Sequence, residues 1–495
     1  MRRNFFDVPR TFILCSVLIL AFGLRTVGIG AEGLWRDEVD AIRFAFEPLP
    51  QLLSRFTEPG FNGPLYHLVL RGWLNLVGIH DFGLRYLSVV FGVLLVAVVF
   101  VIARRMGGGG THAAVFAAVS PILIWYAAEG KMYSMQPFVL VTALYALQRA
   151  TASLRAWGWW SLFAGATVAS FGLHVLSPLF LAVAVVAVVC GVRRWSGRAL
   201  LAVGIVALAL VPFVPLVAGR VDQFLAGGDL GHTRYLLGTI VQTLMANWVF
   251  GLDAEVPFAA GAPELLVDVV RWTVVITVFG LAAWGALTPQ RRRVALVGLA
   301  WLVLPALLLY VVSLRVPLFQ PRYVLWSAPA LYVFADMGLR RLVQSGAARR
   351  SVFAAGAVVA LVIVTGIIGQ RVRPIRPEVR EGMAIMAADL QPGDGVVFQI
   401  PYMVHSFDYY LRSEPAAKYV TAIDGVYTNA GMSEAEAGLQ LEGIAELYPR
   451  VWIFESEVVM WDERGLTREW FDANARLLRR DELRGVTVSL YEMAP

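Results

Sequence analysis

Only two cysteines occur in the chain, Cys15 and Cys190, and both fall within long apolar runs. Their spacing supports neither a disulfide framework nor a thiolate metal site, so they say nothing about redox compartment. Charge is also scarce: 16% of the 495 residues are Asp, Glu, Lys or Arg, against 58% hydrophobic ones. A soluble fold of this size has too little interior for that much apolar surface, so the composition is that of an integral membrane protein. The net charge of +6 comes in short arginine groups between apolar runs. No single basic face is there to follow a nucleic-acid backbone, and a nucleic-acid partner is not expected. HExxH, CxxC and GxSxG are missing, which removes the footing for zinc-protease and serine-hydrolase readings. "GGGGTH" (107–112) lacks the Lys-Ser/Thr pair of a P-loop. No GxGxxG follows a strand, and no DxD-like cluster is suited to holding a nucleotide sugar with a metal. The lack of an obvious internal repeat weighs against transporters built from repeated halves.

What is present is a succession of apolar runs. A span needs ~20 mostly apolar residues and basic residues favour cytoplasmic loops, which together predict about eleven spans. These fall near 11–30, 85–103, 112–128, 133–149, 157–174, 176–192, 199–218, 264–286, 294–314, 323–339 and 351–369. The N-terminus has the basic start of a signal peptide, but its long apolar run and unclear cleavage site read as a retained first span. With that end cytoplasmic, the arginine groups at 104–105, 149–155, 193–198, 291–293 and 340–350 lie inside and the C-terminal residues outside. The chain is thus expected to be a multi-pass protein of the cell membrane.

"GPLYHLVLRGWLNLVG" (63–78) is too short and polar for a span. Leu65, Leu68, Val69, Trp73 and Leu76 share one helical face and His67, Arg71 and Asn75 the other, which predicts a helix lying in the membrane interface. Leu49, Leu52, Leu53 and Phe56 repeat the pattern between prolines. Beyond residue 370 the sequence becomes charged and turn-rich. Helices near 377–390, 433–448 and 466–478 alternate there with strands at 395–400, 417–421, 450–455 and 486–492, predicting a small α/β domain. Ser433 and Glu436 form a capping box. The expected organisation is therefore a polytopic α-helical membrane domain over 1–370 and an extracytoplasmic α/β domain over 371–495.

Ionisable groups close to the hydrocarbon edge are costly and invite functional hypotheses. On the outer side these are Asp37, Glu38, Asp40, Glu58, Glu129, Lys131, His174, Arg315 and Arg322, with Asn62 among them. In "GLWRDEVDAIRF" (33–44), Asp37 and Asp40 share a helical face and Glu38 turns away. An acidic helix start serves the helix dipole, whereas a carboxylate at the water–lipid boundary is also placed to act as a general base. Arg322 reads either as a snorkelling anchor beside Tyr323 or as a guanidinium shaped to hold a phosphate. Lys131 is a second phosphate contact or a loop charge, and His174 a helix-end residue or a site residue.

The ordered set of these features resembles the GT-C superfamily of polytopic glycosyltransferases, specifically the family 39 group of protein O-mannosyltransferases and the aminoarabinose transferases that act on lipid A. "LWRDE" looks like the family's acidic motif after the first span, "NGPLYHLVLRGWLNLVG" like its surface helix and "LRYLSVVFGVL" like the opening of its second span. "SPILIWYAAEGKMYSM" is similar to a family segment with SP, WY and RMYS, and "QPRYVLWSAPAL" to its RY loop. The resemblance is strongest over 33–148. Asn62-Gly63 stand where His-Pro is usual, and Lys131 where arginine is common. The C-terminal domain resembles those appended to many bacterial members.

The resemblance implies an inverting transfer from a polyprenyl-phosphate sugar donor to a hydroxyl of an acceptor, which is a protein, polysaccharide, lipid or small molecule. It implies Asp37 as base with Glu38 beside it, and Arg322 and Lys131 as cations for the leaving phosphate. Glu58, Asn62, Tyr66, His67, His174 and Tyr323 are the expected substrate contacts. No cofactor or metal ligand is expected, and a divalent metal requirement stays open. A competing reading is a transporter or flippase for lipid-linked sugars, for which Asp336 is the clearest charged residue within an expected span. A scaffold with a receptor-like outer domain is a third reading, against which the charged first loop argues.

Overall fold

The computed structural model describes residues 10–56, 58, 61–152, 157–191, 197–214, 235–252, 264–287, 292–315, 318–344, 356, 376–429 and 431–493. Contacts divide the chain into two units, Met1–Ile29 with Ala45–Arg373, and Gly30–Phe44 with Pro374–Pro495. The segment bearing Asp37 thus groups with the C-terminal residues and not with the helices that flank it in sequence.

The first unit is helical. Its elements are α1 (Arg10–Thr26), the end of α2 (Arg36–Phe46), α3 (Leu49–Arg55), α4 (Leu65–Val77), α5 (Asp81–Met106), α6 (Thr111–Val119), α7 (Pro121–Ala127), α8 (Met135–Ala150), α9 (Trp157–Phe171), α10 (Phe180–Gly191), α11 (Gly197–Leu210), α12 (Leu237–Phe250), α13 (Glu264–Ala286), α14 (Arg292–Ser313) and α15 (Ala328–Gln344). Among the described residues α5, α13 and α14 are long and apolar enough to cross a membrane, and shorter apolar helices accompany them. The count of about eleven spans is not carried that far, and the expected span at 351–369 lies outside the described residues apart from Gly356.

Three departures have physical reasons. The expected span over 112–128 is broken into α6 and α7 at Ser120-Pro121, because proline cannot donate to the carbonyl one turn earlier. The fully buried Arg25 of α1 takes up that slack, its guanidinium donating to the carbonyls of Ala117 (2.9 Å) and Ala118 (2.8 Å). Helix α12 falls in a stretch assigned no element from sequence; at 14 residues it is shorter than a span. It is held by the buried Tyr332 hydroxyl, which donates to Trp248 O at 3.0 Å and hydrogen-bonds the Ser120 hydroxyl at 2.7 Å. Finally, α4 buries a mixed face and not the apolar one expected: Tyr66, His67, Leu70 and Leu74 are buried and Arg71 donates to the carbonyls of Ala45 and Glu47, while Asn75 and Leu76 are exposed.

Helices α13 and α15 approach closely through glycines. A Cβ on Gly338 would lie 1.9 Å from Leu281 O and one on Gly285 2.2 Å from Phe334 O, so only glycine permits this crossing.

The second unit carries a five-stranded sheet of β1 (Gly395–Phe398), β2 (Thr421–Asp424), β3 (Arg450–Ser456), β4 (Ala475–Leu483) and β5 (Val486–Met493), in the order β2-β1-β3-β5-β4. β2, β1 and β3 run parallel, and β5 and β4 are antiparallel additions. Side chains alternate along β3: Trp452 and Phe454 enter one core with Met383 and Val488, and Val451 and Ile453 the other with Leu441 and Phe471. The helices are α16 (Val379–Asp389), α17 (Val404–Leu411), α18 (Glu434–Ala445) and α19 (Leu466–Asn474), and the Ser433–Glu436 capping box opens α18. α17 has no counterpart in the sequence reading. β4 replaces the end of the helix expected over 466–478, because pairing with β5 outweighs the helix propensity of "ARLLRRDEL". The strand expected at 417–421 forms at Thr421–Asp424, after a 3-10 turn over Ala416–Tyr419.

Within this unit the segment 30–44 is tied down repeatedly. Tyr410 Oη donates to Leu34 O at 3.0 Å, Arg376 pairs with Glu32 at 3.1 Å, and Arg380 donates to Ala31 O at 2.7 Å.

Candidate functional site

In the first unit, the turn after α7, the 3-10 segment Pro321–Ser327, the turn after α9 and the start of α4 bring polar groups together. Arg322 is the centre. Its guanidinium lies 5.3 Å from the ring centre of Tyr133 and 5.7 Å from that of Tyr323. The His174 ring is 5.0 Å from Tyr323 and 6.4 Å from Tyr133, and Tyr126 packs edge-on against Tyr133 at 5.4 Å. Burial works against the charge on Arg322, but Tyr133, Tyr323, Tyr126 and Glu129 outweigh it and raise its pKa above the ordinary arginine value. Its buried Nε has no hydrogen-bond partner among the described residues. A permanently charged fork held on aromatic faces with a donor unspent is suited to an incoming anion.

Local geometry fixes these positions. Ser134 Oγ donates to Tyr126 O at 3.0 Å, closing the turn that carries Glu129, Lys131 and Tyr133. A Cβ on Gly130 would sit 2.5 Å from Leu84 Cγ, so the turn lies flat against α5. His174 Nδ1 accepts from Leu176 N at 3.1 Å, which leaves the ring proton on Nε2 in the neutral form. His67 is pushed down to about 3, first by burial and then by the charge of Lys131, so it is neutral at physiological pH. Lys131 itself is half-buried, and Tyr66 packs at 5.5 Å from the His67 ring.

Of the residues anticipated for donor and substrate, Arg322, Tyr323 and His174 therefore meet directly, and Lys131, His67 and Tyr66 form the adjoining group. Glu58 is exposed and Asn62 half-buried. Tyr126 and Tyr133 were not singled out from sequence, although the "WYAAEGKMY" spacing contains both.

Asp37 and Glu38 belong to the second unit. Glu38 is fully buried, whereas Asp37 keeps 24% of its side-chain surface and lies 3.5 Å from Arg36. Asp40 pairs with Arg43 at 3.0 Å. Asp336, the residue on which a transport reading leaned, is fully buried and occupied: it accepts from Gly110 N at 2.9 Å and contacts His112 Nδ1 at 2.8 Å. It staples the glycine turn before α6. Among the described residues no group of three or more His, Cys, Asp or Glu is arranged to hold a metal ion.

This architecture, a helical unit and a sheet-bearing unit, is similar in fold to solved glycosyltransferases of the GT-C class. In particular, residues 59–218 match the family pattern of dolichyl-phosphate-mannose-protein mannosyltransferases. ArnT from Cupriavidus metallidurans, solved bound to undecaprenyl phosphate, is similar over 97% of both chains, with a TM-score of 0.58 and 15% identity. The oligosaccharyltransferase AglB from Archaeoglobus fulgidus, in complex with an inhibitory peptide and a dolichol-phosphate, aligns with 99% of this chain and 75% of its own, at a TM-score of 0.52 and 10% identity. The mycobacterial arabinofuranosyltransferase AftD aligns with 99% of this chain and 40% of its own, at a TM-score of 0.51 and 12% identity. No curated protein sequence matches the chain.

Proposed function

We propose that the protein is an inverting glycosyltransferase that moves a sugar from a polyprenyl-phosphate donor to an acceptor hydroxyl on the extracytoplasmic side of the membrane. One observation carries the donor side: the aromatic-stacked Arg322, with its buried Nε unsatisfied, in a fold whose solved relatives include two bound to polyprenyl phosphates. The guanidinium receives the phosphate, and Lys131 adds a point charge.

In the transfer, the acceptor oxygen attacks the anomeric carbon while the bond from that carbon to the phosphate oxygen breaks. The electron pair leaves with the polyprenyl phosphate, and the hydroxyl proton passes to Asp37. A single in-line displacement inverts the anomeric configuration. The base assignment draws on the acidic motif and on the partial exposure of Asp37 beside buried Glu38. Glu58, Asn62, Tyr66, His67, His174 and Tyr323 are proposed to line the substrates, with the membrane domain over 1–370 and the outer domain over 371–495. The N-terminus is then cytoplasmic and the C-terminal domain outside.

The deciding experiment incubates the purified protein in vesicles with labelled polyprenyl-phosphate sugars and candidate acceptors. Covalent label on an acceptor, with release of polyprenyl phosphate, is expected. Label that crosses the bilayer without forming a new glycosidic bond would overturn the reading in favour of transport.

A further inference from the structure

The parallel strands of the second unit all end at one edge of the sheet, the edge where α/β sheets receive ligands. Each contributes an aromatic residue there: Tyr402 follows β1, Tyr427 follows β2 and Trp461 follows β3. The Trp461 ring is central. It lies 4.7 Å from Tyr427 at an interplanar angle of 59° and 6.1 Å from Tyr402 at 78°, and its Nε1 donates to Gly425 O at 3.2 Å. Tyr402 and Tyr427 are 49% and 42% exposed. Three rings inclined to one another thus make a walled trough open to solvent.

Polar groups rim the trough. Glu457, just past β3, has φ 52°, and it is the only non-glycine residue with positive φ among the described residues. Such left-handed strain persists where surrounding contacts hold it, and it concentrates at ligand sites. Its carboxylate pairs with Arg36 at 3.3 Å, and Arg36 in turn lies 5.8 Å from the Tyr402 ring centre and 3.5 Å from Asp37. Beyond Tyr427 the surface continues into an open depression of about 570 Å³ lined by Asp424, Tyr427, Gln440 and Ile444.

We infer that this trough binds a saccharide, the glycan portion of the acceptor, next to the carboxylate that activates its hydroxyl. Sugar rings carry flat C–H faces that stack on aromatic rings and a rim of hydroxyls that carboxylates and amides accept or donate to. The combination of exposed rings with Asp424, Glu457, Gln440 and Arg36 matches both features, whereas a lipid chain has no use for the carboxylates. Arg36 is a positioning residue, bridging the trough and Asp37. The inference rests on the proposed role of Asp37 for its purpose, but not for the binding itself.

The test uses full-length protein in nanodiscs without donor lipid, probed with arabinohexaose and mannohexaose by saturation-transfer NMR. Binding of at least one is expected, weakened by about 10-fold in Tyr427→Ala and in Tyr402→Ala, whose exposed side chains can be removed without opening the core. Trp461→Phe, which keeps a ring, should weaken it less. No binding of either oligosaccharide, or binding that survives both alanine changes, overturns the inference. Because no donor is present, that outcome is separate from failure of sugar transfer.

Discussion

The Arg322 guanidinium sits over the face of Tyr133 at 5.3 Å, with Tyr323 at 5.7 Å on the same cation. Stacking holds the plane of the fork without spending its hydrogen-bond donors. Arg322→Ala should therefore lower affinity for polyprenyl phosphate by about 10-fold to 100-fold, the range for a hydrogen-bonded charge. Arg322→Lys keeps the charge but loses the bidentate fork and should recover only part. Native mass spectrometry of copurified lipid reads both; full lipid occupancy in the alanine variant would remove Arg322 from the donor site.

Asp37 is the carboxylate that stays accessible while its neighbour Glu38 is buried. Asp37→Asn is isosteric and should leave expression and thermal stability unchanged while slowing transfer by about 100-fold or more. A wild-type single-turnover rate in that variant would refute its role as base.

His67 is held neutral by burial, and secondarily by Lys131, with its pKa near 3. An unfolded chain binds a proton at this histidine below about 6.5, whereas the folded protein does not until far lower pH. The unfolded state therefore carries more protons in that window, and stability falls as pH drops from about 6.5 towards 3. His67→Gln should flatten this dependence. Melting temperatures of the two proteins in detergent at pH 7 and pH 4.5 make the comparison; parallel losses in both would show that His67 does not contribute.

Gly63 is confined by a close backbone contact at the start of α4. A Cβ there would stand 2.2 Å from Gly172 O, the same carbonyl that accepts from Leu65 N at 2.8 Å. Gly63→Ala should displace the start of α4, cost about 1–3 kcal/mol as overpacking does, and shift Tyr66 and His67. A melting temperature equal to that of wild type would contradict this tight backbone contact.

Much of the architecture was legible because it depends on local pattern. Long apolar runs gave α5, α13 and α14, alternation after residue 376 gave β1, β3 and β5, and the Ser433–Glu436 spacing gave the start of α18. What escaped depends on partners distant in sequence. Arg25 reads as the end of a span, and only Pro121, about ninety-six positions later, makes carbonyls that need it. β4 reads as helix until β5 is beside it. At the site, Arg322, Lys131 and His174 stand out as polar groups near the hydrocarbon edge, whereas nothing in the sequence singles out Tyr133. Its position against Arg322 comes from the meeting of two loops, which no periodicity encodes.

The fifteen residues of Gly30–Phe44 leave the membrane helices and return to them, yet lodge among residues that follow Pro374. Leu34, Glu32 and Ala31 take their bonds from Tyr410, Arg376 and Arg380. Truncating the polypeptide ahead of residue 374 would consequently strip the scaffolding from Asp37 while sparing every long apolar helix. A "minimal core" cut that way would keep its apolar helices and leave Ala31, Glu32 and Leu34 without the anchors that seat this segment.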